Sequence, residues 1–315
     1  MKLGMITDSL GHLPLEAMLD FAAAQGFEML EFACGNWSSA PHVDLGRMLA
    51  DAGARRDFLA GLERRGIAIS ALNCSGNPLH PGEAGRRHDE VTRKTFALAG
   101  LLGVKRVVMM SGLPGGAPGD STANWVTTAW PRENQAILRY QWEDVIIPYW
   151  RGLAAEARAN GIEKLCLELH GHQAVYSVST LLRLRAAVGD IVGANFDPSH
   201  LMWMGADPLA AIAALGPAIH HVHAKDTAIH PANAPRDGVM ETIPNDRIGE
   251  RAWNYVTLGY GRDEAWWNRF CMTLAMAGYD DVLSIEHEDV LMSPEEGVEK
   301  SVRLLRRAMV NQARR

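Results

Sequence analysis

The chain has 315 residues, of which 47% are hydrophobic and 22% charged, and its formal net charge is −6 at pH 7. This is the composition of an ordinary globular protein, and an acidic balance with no basic block argues against nucleic acid or an anionic membrane surface as the main partner. The expected ligand is a small neutral or weakly charged molecule.

The amino-terminal segment MKLGMITDSLGHL lacks the long apolar run and the small-residue cleavage site of a secretory signal. No later segment has about 18 uninterrupted apolar residues, so no transmembrane helix is predicted. The four cysteines lie far apart without a C-x-x-C pair, which favours reduced thiols over a disulfide framework. We therefore expect a cytoplasmic protein.

Short apolar or β-branched runs alternate with longer stretches of helical period, a pattern typical of a parallel sheet covered by helices. In chain order, the predicted strands are Leu3–Ile6, Met29–Phe32, Ile67–Leu72, Arg106–Met110, Lys164–Leu169, Gly193–Phe196, Ile219–His223 and Val282–Glu286. The predicted helices are Leu15–Gln25, Asp57–Arg65, His88–Leu102, Gln141–Asn160, Thr180–Val188, Pro208–Leu215, Glu264–Ala277 and Pro294–Met309.

Eight strands alternating with eight helices predict an α/β fold, a (β/α)8 barrel that occupies residues 1–315 as a single domain. The length alone would suggest two domains of about 150 residues, but α/β barrels form single units of about 250 residues. A doubly wound sheet is the alternative. It is disfavoured because Ile6-Thr7-Asp8-Ser9 follows the first strand where a glycine-rich nucleotide-binding turn would be needed.

Two long connections interrupt the alternation. The segment LPGGAPGDS at 113–121 follows the fourth strand and precedes Trp125 and Trp130, and it does not match a phosphate-binding loop because no G-K-[ST] closes it. A second insertion, from about Thr227 to Leu258, follows the seventh strand. We expect the first insertion to be an ordered loop that covers the mouth of the barrel.

A possible metal ligand ends each of the last four predicted strands: Glu168 in LCLELH, Asp197 in GANFDPSH, His223 in HHVHAKD and Glu286 in VLSIEHED. Because strand ends of a barrel meet at its carboxyl-terminal face, these residues are predicted to form one divalent-metal site there. Three carboxylates and one imidazole suit Mn²⁺ or Mg²⁺ and also admit Co²⁺, while Zn²⁺ is a less typical alternative.

His170 lies two residues after Glu168 and therefore on the same face of the strand. The ordinary pKa of histidine suits proton transfer near neutral pH. His170 is thus a candidate catalytic base, and a hydrogen bond to the substrate is the alternative role.

These motifs resemble the xylose isomerase-like barrel superfamily, in particular its branch of sugar isomerases and epimerases, which includes ketose 3-epimerases, hydroxypyruvate isomerases and inosose dehydratases. The resemblance is carried by the D-x-x-H motif at 197–200, by the H-x-H-x-K-D motif at 221–226 and by the strand-end residues. It implies a dimer or tetramer and one divalent metal, usually Mn²⁺. The implied ligands are Glu168, Asp197, His223 and Glu286.

The same resemblance implies a reaction. A metal holding the oxygens of a keto sugar makes the adjacent carbon-bound proton removable, and Glu168 and Glu286 would move that proton through an enediolate. His170 also resembles a histidine of the metal-dependent subunit of C-glycoside deglycosidases, which eliminate the aglycone from 3-keto-glycosides. Two outcomes therefore stay open. One is isomerisation or epimerisation, and the other is elimination of water or of an aglycone, where elimination of an aglycone implies a possible small partner subunit.

Further residues are predicted to bind the substrate. The resemblance implies that His200 contacts the sugar. Lys225 is expected to neutralise enediolate charge or to bind a carboxylate or phosphate, and a salt bridge with Asp226 or another acid at the mouth is the alternative. Arg262 is placed where a loop should return to the mouth, although a structural role is also open. Trp125 is a candidate for stacking on a sugar ring or an aryl group. The other tryptophans in predicted loops are Trp37, Trp130, Trp203 and Trp253.

A nuclease of the apurinic-site endonuclease type would share the fold and most of the ligands, but it requires a cluster of three zinc ions with histidines after the third and fourth strands. Asn73-Cys74 and Ser111-Gly112 stand at those strand ends, and the net charge is negative. The nuclease hypothesis is therefore rejected.

Overall fold

Eight parallel strands close into a barrel in the computed structural model, which describes residues 1–310. The barrel strands are β1 (Lys2–Ile6), β2 (Met29–Ala33), β3 (Ala68–Asn73), β4 (Arg106–Met109), β5 (Lys164–Glu168), β6 (Val192–Phe196), β7 (Ile219–Ala224) and β10 (Val282–Ile285); β8 (Asp226–Ile229) and β9 (Trp253–Val256) form a separate antiparallel ribbon. Each barrel strand pairs with the next barrel strand along the chain, and β10 closes the ring against β1. The predicted (β/α)8 barrel is confirmed, with every predicted strand boundary within one residue.

The helices surround the barrel. They are α1 (Leu15–Ala24), α2 (Leu45–Ala50), α3 (Ala52–Glu63), α4 (Glu83–Leu102), α5 (Glu133–Arg139), α6 (Ile147–Ala159), α7 (Val178–Val188), α8 (Pro198–Trp203), α9 (Pro208–Leu215), α10 (Asn233–Asp237), α11 (Glu264–Met276) and α12 (Pro294–Ala308). A π-helical segment, Tyr140–Ile146, joins α5 to α6. None of the helices within residues 1–310 combines the length and apolarity that a membrane crossing requires.

Two helices, α3 and α4, begin about five residues earlier than the apolar period predicts, because their first turns contain few large apolar residues. α3 begins at Ala52 rather than Asp57, since the Asp51 carboxylate accepts the backbone N–H of Gly53 at 2.7 Å and caps the helix. α4 begins at Glu83 rather than His88 and ends where Gly103 adopts a left-handed conformation. The apolar period therefore locates the buried faces of these helices but not their ends.

The main core lies between the strands and the helices, with Trp150 and Trp267 among its largest fully buried side chains. A second, small cluster of Ala71, Val108 and Cys166 packs on the inner faces of β3, β4 and β5. These inner residues are small because eight strands enclose little space, and they support the polar side chains at the carboxyl-terminal end of the barrel.

A buried glutamine contributes three hydrogen bonds that hold the loop after β4, residues 110–132. The side-chain amide of Gln141 donates to the carbonyl oxygens of Pro114, Gly115 and Asn124 at 3.3, 3.2 and 2.7 Å. Gln141 lies in the π-helical segment, which places a polar side chain among apolar neighbours and against this loop. The glycine- and proline-rich segment is thus fixed by a side chain some 20 residues further along the chain, in the helical segment that packs against this loop.

The insertion after β7 contains the β8–β9 ribbon and α10 rather than a plain loop. Its return segment is anchored by Asp226, whose Oδ2 accepts the backbone N–H groups of Gly259, Gly261 and Arg262 at 3.1, 3.2 and 2.9 Å. A Cβ atom at Gly261 would lie 2.4 Å from the carbonyl oxygen of Thr227, so only glycine permits this approach. The ribbon is therefore held over the mouth of the barrel at a defined position.

Replacing Gln141 by leucine should lower the free energy of unfolding by roughly 1–3 kcal/mol, because buried carbonyl oxygens would lose their donor. The 110–132 loop should also become more sensitive to limited proteolysis. Gln135→Leu is the matched control, since Gln135 is exposed on α5. Equal urea midpoints and equal cleavage rates for the two variants would contradict the anchoring role.

Candidate metal centre and catalytic chamber

The four predicted ligands converge at the carboxyl-terminal end of the barrel. Glu168 ends β5, Asp197 directly follows β6, His223 lies in β7 and Glu286 directly follows β10. Each offers one ligand atom, and these four atoms all lie within 4.8 Å of one another. Strand pairing produces this convergence, because neighbouring parallel strands bring their carboxyl ends to the same edge of the barrel.

The donor atoms fit a divalent cation. Asp197 Oδ2, His223 Nδ1 and Glu286 Oε2 are buried and accept no well-directed hydrogen bond from any part of the chain that the structure describes, and Lys225 contacts the two oxygens only as an ion-pair partner. His223 Nδ1 lies 3.1 Å from Glu286 Oε2 and 3.4 Å from Glu168 Oε2. Buried polar atoms seldom lack partners, and three carboxylates around one imidazole nitrogen are the donor set expected of Mn²⁺, Mg²⁺ or Co²⁺.

Glu31 on β2 fixes the orientation of His223, and the sequence analysis did not identify it. Its Oε2 lies 2.9 Å from His223 Nε2, and its Oε1 accepts from Asn73 Nδ2 at 2.7 Å. Nε2 therefore carries a proton, and Nδ1 faces the cation site, an arrangement common for metal-binding histidines. Burial would lower the pKa of His223, but Glu31 and Glu286 outweigh it and raise that pKa well above its ordinary value.

A layer of polar side chains supports the ligands from below. Asn195 donates from Nδ2 to Glu168 Oε2 at 3.0 Å, and its Oδ1 accepts from His221 Nδ1 at 2.9 Å. The strand register shifts beside Glu31 in the β2–β3 pair and beside Asn195 in the β6–β7 pair. Such irregularities re-aim side chains, and here they occur at the inward-facing polar residues.

His200, from the D-x-x-H motif, lies on α8 and faces the ligands. Its Nε2 is 2.7 Å from Glu168 Oε1 and 3.2 Å from Asp197 Oδ2, and its Nδ1 is 2.9 Å from the hydroxyl of Tyr255. Burial would lower the pKa of His200, but Asp197 and Glu168 outweigh it and raise that pKa to about 9. His200 is thus a proton donor at neutral pH.

His170 lies against His200, with the ring centroids 4.1 Å apart, but its charge state differs. Burial, together with the neighbouring His200, lowers the pKa of His170 to about 4, so its ring is neutral near pH 7. Its Nδ1 donates to the carbonyl oxygen of Gly171, which leaves the lone pair on Nε2. The two adjacent histidines are therefore suited to opposite roles, one accepting and one donating a proton.

Lys225 is buried among three carboxylates. Its Nζ lies 3.2 Å from Asp197 Oδ2, 2.7 Å from Glu286 Oε2 and 3.1 Å from Glu288 Oε2. Burial would lower the pKa of Lys225, but these carboxylates raise it well above its ordinary value. The alternative of a salt bridge to an acid at the mouth is therefore confirmed, but Asp226 is not that acid, because it accepts backbone N–H groups of the ribbon's return segment.

These groups border a chamber of about 310 Å³, which we call the catalytic chamber. Among the residues that line it are Glu168, His170, His200, Lys225, Tyr255, Glu286, Glu288, Trp37 and Asp8. The sequence analysis took the segment around Asp8 only as evidence against a nucleotide-binding turn. In the structure Ser38 donates to Asp8 Oδ2, and the buried Asp8 Oδ1 has no hydrogen-bond partner among residues 1–310.

Two predicted substrate-binding residues lie outside the catalytic chamber. Arg262 does not line it, and Trp125 lines a separate apolar chamber together with Trp203. Trp203 stacks on Trp253 with ring centroids 4.8 Å apart, whereas Trp130 is 74% exposed. The substrate contacts of Arg262 and Trp125 stay predictions.

Comparison with known proteins agrees with this architecture. A family model described as xylose isomerase-like TIM barrel matches residues 19–308. The chain is 51% identical over 311 residues, which are 98% of it, to "Uncharacterized protein YfiH" of Bacillus subtilis (strain 168), of which 99% is covered. A structure of IolI protein with a bound zinc atom has a TM-score of 0.68 at 19% identity, covering 98% of both chains. The probable 3-DHS dehydratase AsbF of Bacillus anthracis has a TM-score of 0.67 at 17% identity, covering 97% of this chain and 99% of AsbF.

Replacing Glu31 by glutamine should weaken the binding of Mn²⁺ by roughly 10- to 100-fold, because the carboxylate that fixes the tautomer of His223 is lost. The measurement is a titration in competition with a chelating dye, which requires no assay of activity. Glu28→Gln is the matched control, since Glu28 is exposed and directly precedes β2, at the end of the strand remote from the site. Unchanged affinity in Glu31→Gln would show that His223 does not depend on Glu31.

Proposed function

Since the chain belongs to the xylose isomerase-like TIM barrel family, we propose that it is a divalent-metal-dependent isomerase or epimerase of a keto sugar. The observation that carries the proposal is the combination of two features in one chamber. Four metal-competent side chains converge there, and beside them lies a buried neutral histidine with a free Nε2 lone pair. Removal of a proton from the carbon beside a carbonyl needs both features.

A divalent cation held by Glu168, Asp197, His223 and Glu286 would withdraw charge from the oxygens of the keto sugar and so acidify the neighbouring carbon-bound proton. We propose Mn²⁺, because three of the four donors are carboxylates, with Mg²⁺, Co²⁺ and Zn²⁺ as alternatives. The zinc atom in the IolI structure supports a metal in this family but leaves its identity in this protein open.

We assign the first proton transfer to His170. Both oxygens of Glu168 are engaged, one near His200 Nε2 and the other with Asn195, whereas His170 has a free Nε2 that faces the chamber. Glu286 approaches from β10, three strands away around the barrel, and is the proposed group that returns a proton from the other side. When a proton is removed from one face of a carbon and returned to the opposite face, the configuration of that carbon is inverted, which is epimerisation. When the proton is returned to the neighbouring carbon instead, the product is the aldose or ketose isomer.

A second candidate function is elimination from a 3-keto-glycoside or an inosose. His170 would take the proton beside the ketone, the electron pair would form the carbon–carbon double bond, and the bond to the leaving oxygen would break. His200 would give that oxygen a proton, and its pKa of about 9 favours this role. The name of AsbF, a probable dehydratase, supports elimination within the same fold.

The partners expected from the resemblance stay proposals. The substrate would be a small sugar or keto-glycoside, and nucleic acid and membranes would not take part. The chain would act as a homodimer or homotetramer, with a small partner subunit if it eliminates an aglycone.

Proton NMR in D2O should distinguish the two reactions. We expect the Mn²⁺-loaded protein, but not the chelator-treated protein, to exchange the proton beside the ketone in some of a panel of ketoses, inososes and 3-keto-glycosides. A stereoisomer or an aldose–ketose pair among the products would establish the first function, and an enone with released water or aglycone would establish the second. Exchange into none of the panel would contradict both.

His170→Ala should lower the turnover rate by roughly 10²- to 10⁴-fold while Mn²⁺ affinity is unchanged, since His170 is a base and not one of the four proposed ligands. Glu168→Gln and Glu286→Gln should instead lower both activity and metal affinity. His172→Ala is the matched control, because His172 is two residues further along and exposed. Near-normal turnover in His170→Ala would show that His170 is not the base and would assign that role to the two glutamates.

A further inference from the structure

The catalytic chamber continues into a larger chamber of about 640 Å³, which we call the second chamber. Asp8, Ser9, Tyr255, His287 and Glu288 line both, so the two spaces are continuous. The second chamber lies between the turn after β1, the β8–β9 ribbon and the loop that joins β10 to α12. A molecule that places its reacting carbon beside His170 has room to extend in this direction.

The sizes of the two chambers indicate a substrate of two units. Small-molecule sites usually enclose about 300–1,000 Å³, and the catalytic chamber, at about 310 Å³, lies at the lower end of that range. One sugar ring beside a metal would occupy it. The second chamber has about twice that volume, which one monosaccharide would leave unused.

The charges of the second chamber favour a neutral occupant. Asp8 and Glu288 flank the passage into it. Its guanidinium group, from Arg251, is already engaged, since it donates to the carbonyl oxygens of Ile243 and Trp253 and packs over the Trp253 ring. A phosphate or carboxylate would therefore meet acidic groups without a free cation to offset them.

The polar side chains that line the second chamber suit hydroxyl groups. Asn245 contributes an amide that can both donate and accept hydrogen bonds. Asn254 Nδ2 already donates to the carbonyl oxygen of Ile248, and His12 Nε2 is 2.8 Å from Glu295, so these residues offer the Asn254 Oδ1 and the His12 Nδ1. Sugar hydroxyls likewise both donate and accept, so this lining matches a polyhydroxylated group better than a hydrocarbon.

An apolar group would be better accommodated in a different place. The apolar chamber measures about 600 Å³, and its lining includes Trp125, Tyr176, Trp203 and Met240. It shares none of its lining residues with the catalytic chamber within residues 1–310. Trp203, which lines the apolar chamber, packs directly on the backbone of Gly171, where a Cβ atom would lie 2.4 Å from the indole.

We propose that the substrate is a keto-glycoside whose keto ring occupies the catalytic chamber and whose second unit, an uncharged glycosyl or polyol group, occupies the second chamber. This inference rests on the proposed carbon-acid chemistry and specifies its substrate class. It places the reacting ring next to the metal ligands and assigns recognition of the second unit to Asn254, Asn245 and His12.

The experiment compares four probes by deuterium incorporation in D2O with the Mn²⁺-loaded protein. The probes are the 3-keto derivatives of methyl glucoside, of a glucosyl disaccharide, of the same disaccharide phosphorylated on its second ring, and of phenyl glucoside, each as both anomers. We expect kcat/KM for the neutral disaccharide to exceed that for the methyl derivative by roughly ten-fold or more. The phosphorylated disaccharide should lose this advantage.

Val290→Trp should locate the second unit, because Val290 is 62% exposed and lines the second chamber without taking part in the catalytic chamber. It should lower kcat/KM for the disaccharide by about ten-fold and leave that for the methyl derivative unchanged. Leu291→Trp is the matched control, since Leu291 is 75% exposed and lines neither chamber. Met240→Trp fills the apolar chamber and should change neither value.

The outcomes separate the two proposals. Exchange of the methyl derivative with no preference for the disaccharide, or equal effects of Val290→Trp on both, would overturn the second-chamber assignment alone. A preference for the phenyl derivative that Met240→Trp removes would place the second unit in the apolar chamber and would also overturn it. Exchange of none of the probes, when a free ketose or inosose does exchange, would overturn the keto-glycoside assignment alone. Exchange of neither the probes nor the ketoses and inososes would contradict the proposed function on which the inference rests.

Discussion

The contact between Glu31 and His223 inside the barrel is the interaction on which the site depends. Glu31 is fully buried, and an unpaired carboxylate there would cost several kcal/mol, so its charge must be matched within the barrel. His223, Asn73 and the more distant His221 and Ser284 provide that match. The pairing fixes the proton of His223 on Nε2 and directs Nδ1 toward the three carboxylates.

Negative charge then dominates the mouth of the barrel. Glu168, Asp197 and Glu286 all have lowered pKa values, because His200, His223 and Lys225 together outweigh the effect of burial. The carboxylates therefore stay ionised, yet one oxygen of Asp197 and one of Glu286 lack hydrogen bonds within residues 1–310. A bound cation would offset this charge, and the adjacent His170 stays neutral because burial and the positive charge of His200 both oppose its protonation.

The sequence was sufficient to predict the barrel and the convergence of the four strand-end residues, because both follow from local patterns: apolar runs of strand length, each ended by a metal-competent side chain. Glu31 and Asp8 were missed because their importance appears only when β2 and β1 approach β7 and β10 around the closed barrel. The one signal for Glu31 was a charge inside the apolar strand MLEFA. Lys225 and Asp226 are adjacent in sequence, but Lys225 pairs with carboxylates at the mouth of the barrel and Asp226 accepts backbone N–H groups of the ribbon's return segment. Only the fold of the ribbon reveals these different roles.

Tyr255 connects the chemistry of the strands to the recognition provided by the inserted ribbon. It lies on β9, its hydroxyl is 2.9 Å from His200 Nδ1, and Lys225 Nζ is 4.6 Å from the centre of its ring. It also lines both the catalytic and the second chamber. The ribbon that borders the second chamber is therefore in direct contact with two charged groups beside the proposed metal ligands. Changes in the ribbon can thus alter substrate choice and proton transfer together, whereas changes in the loop after β4 act on the apolar chamber and leave these contacts in place.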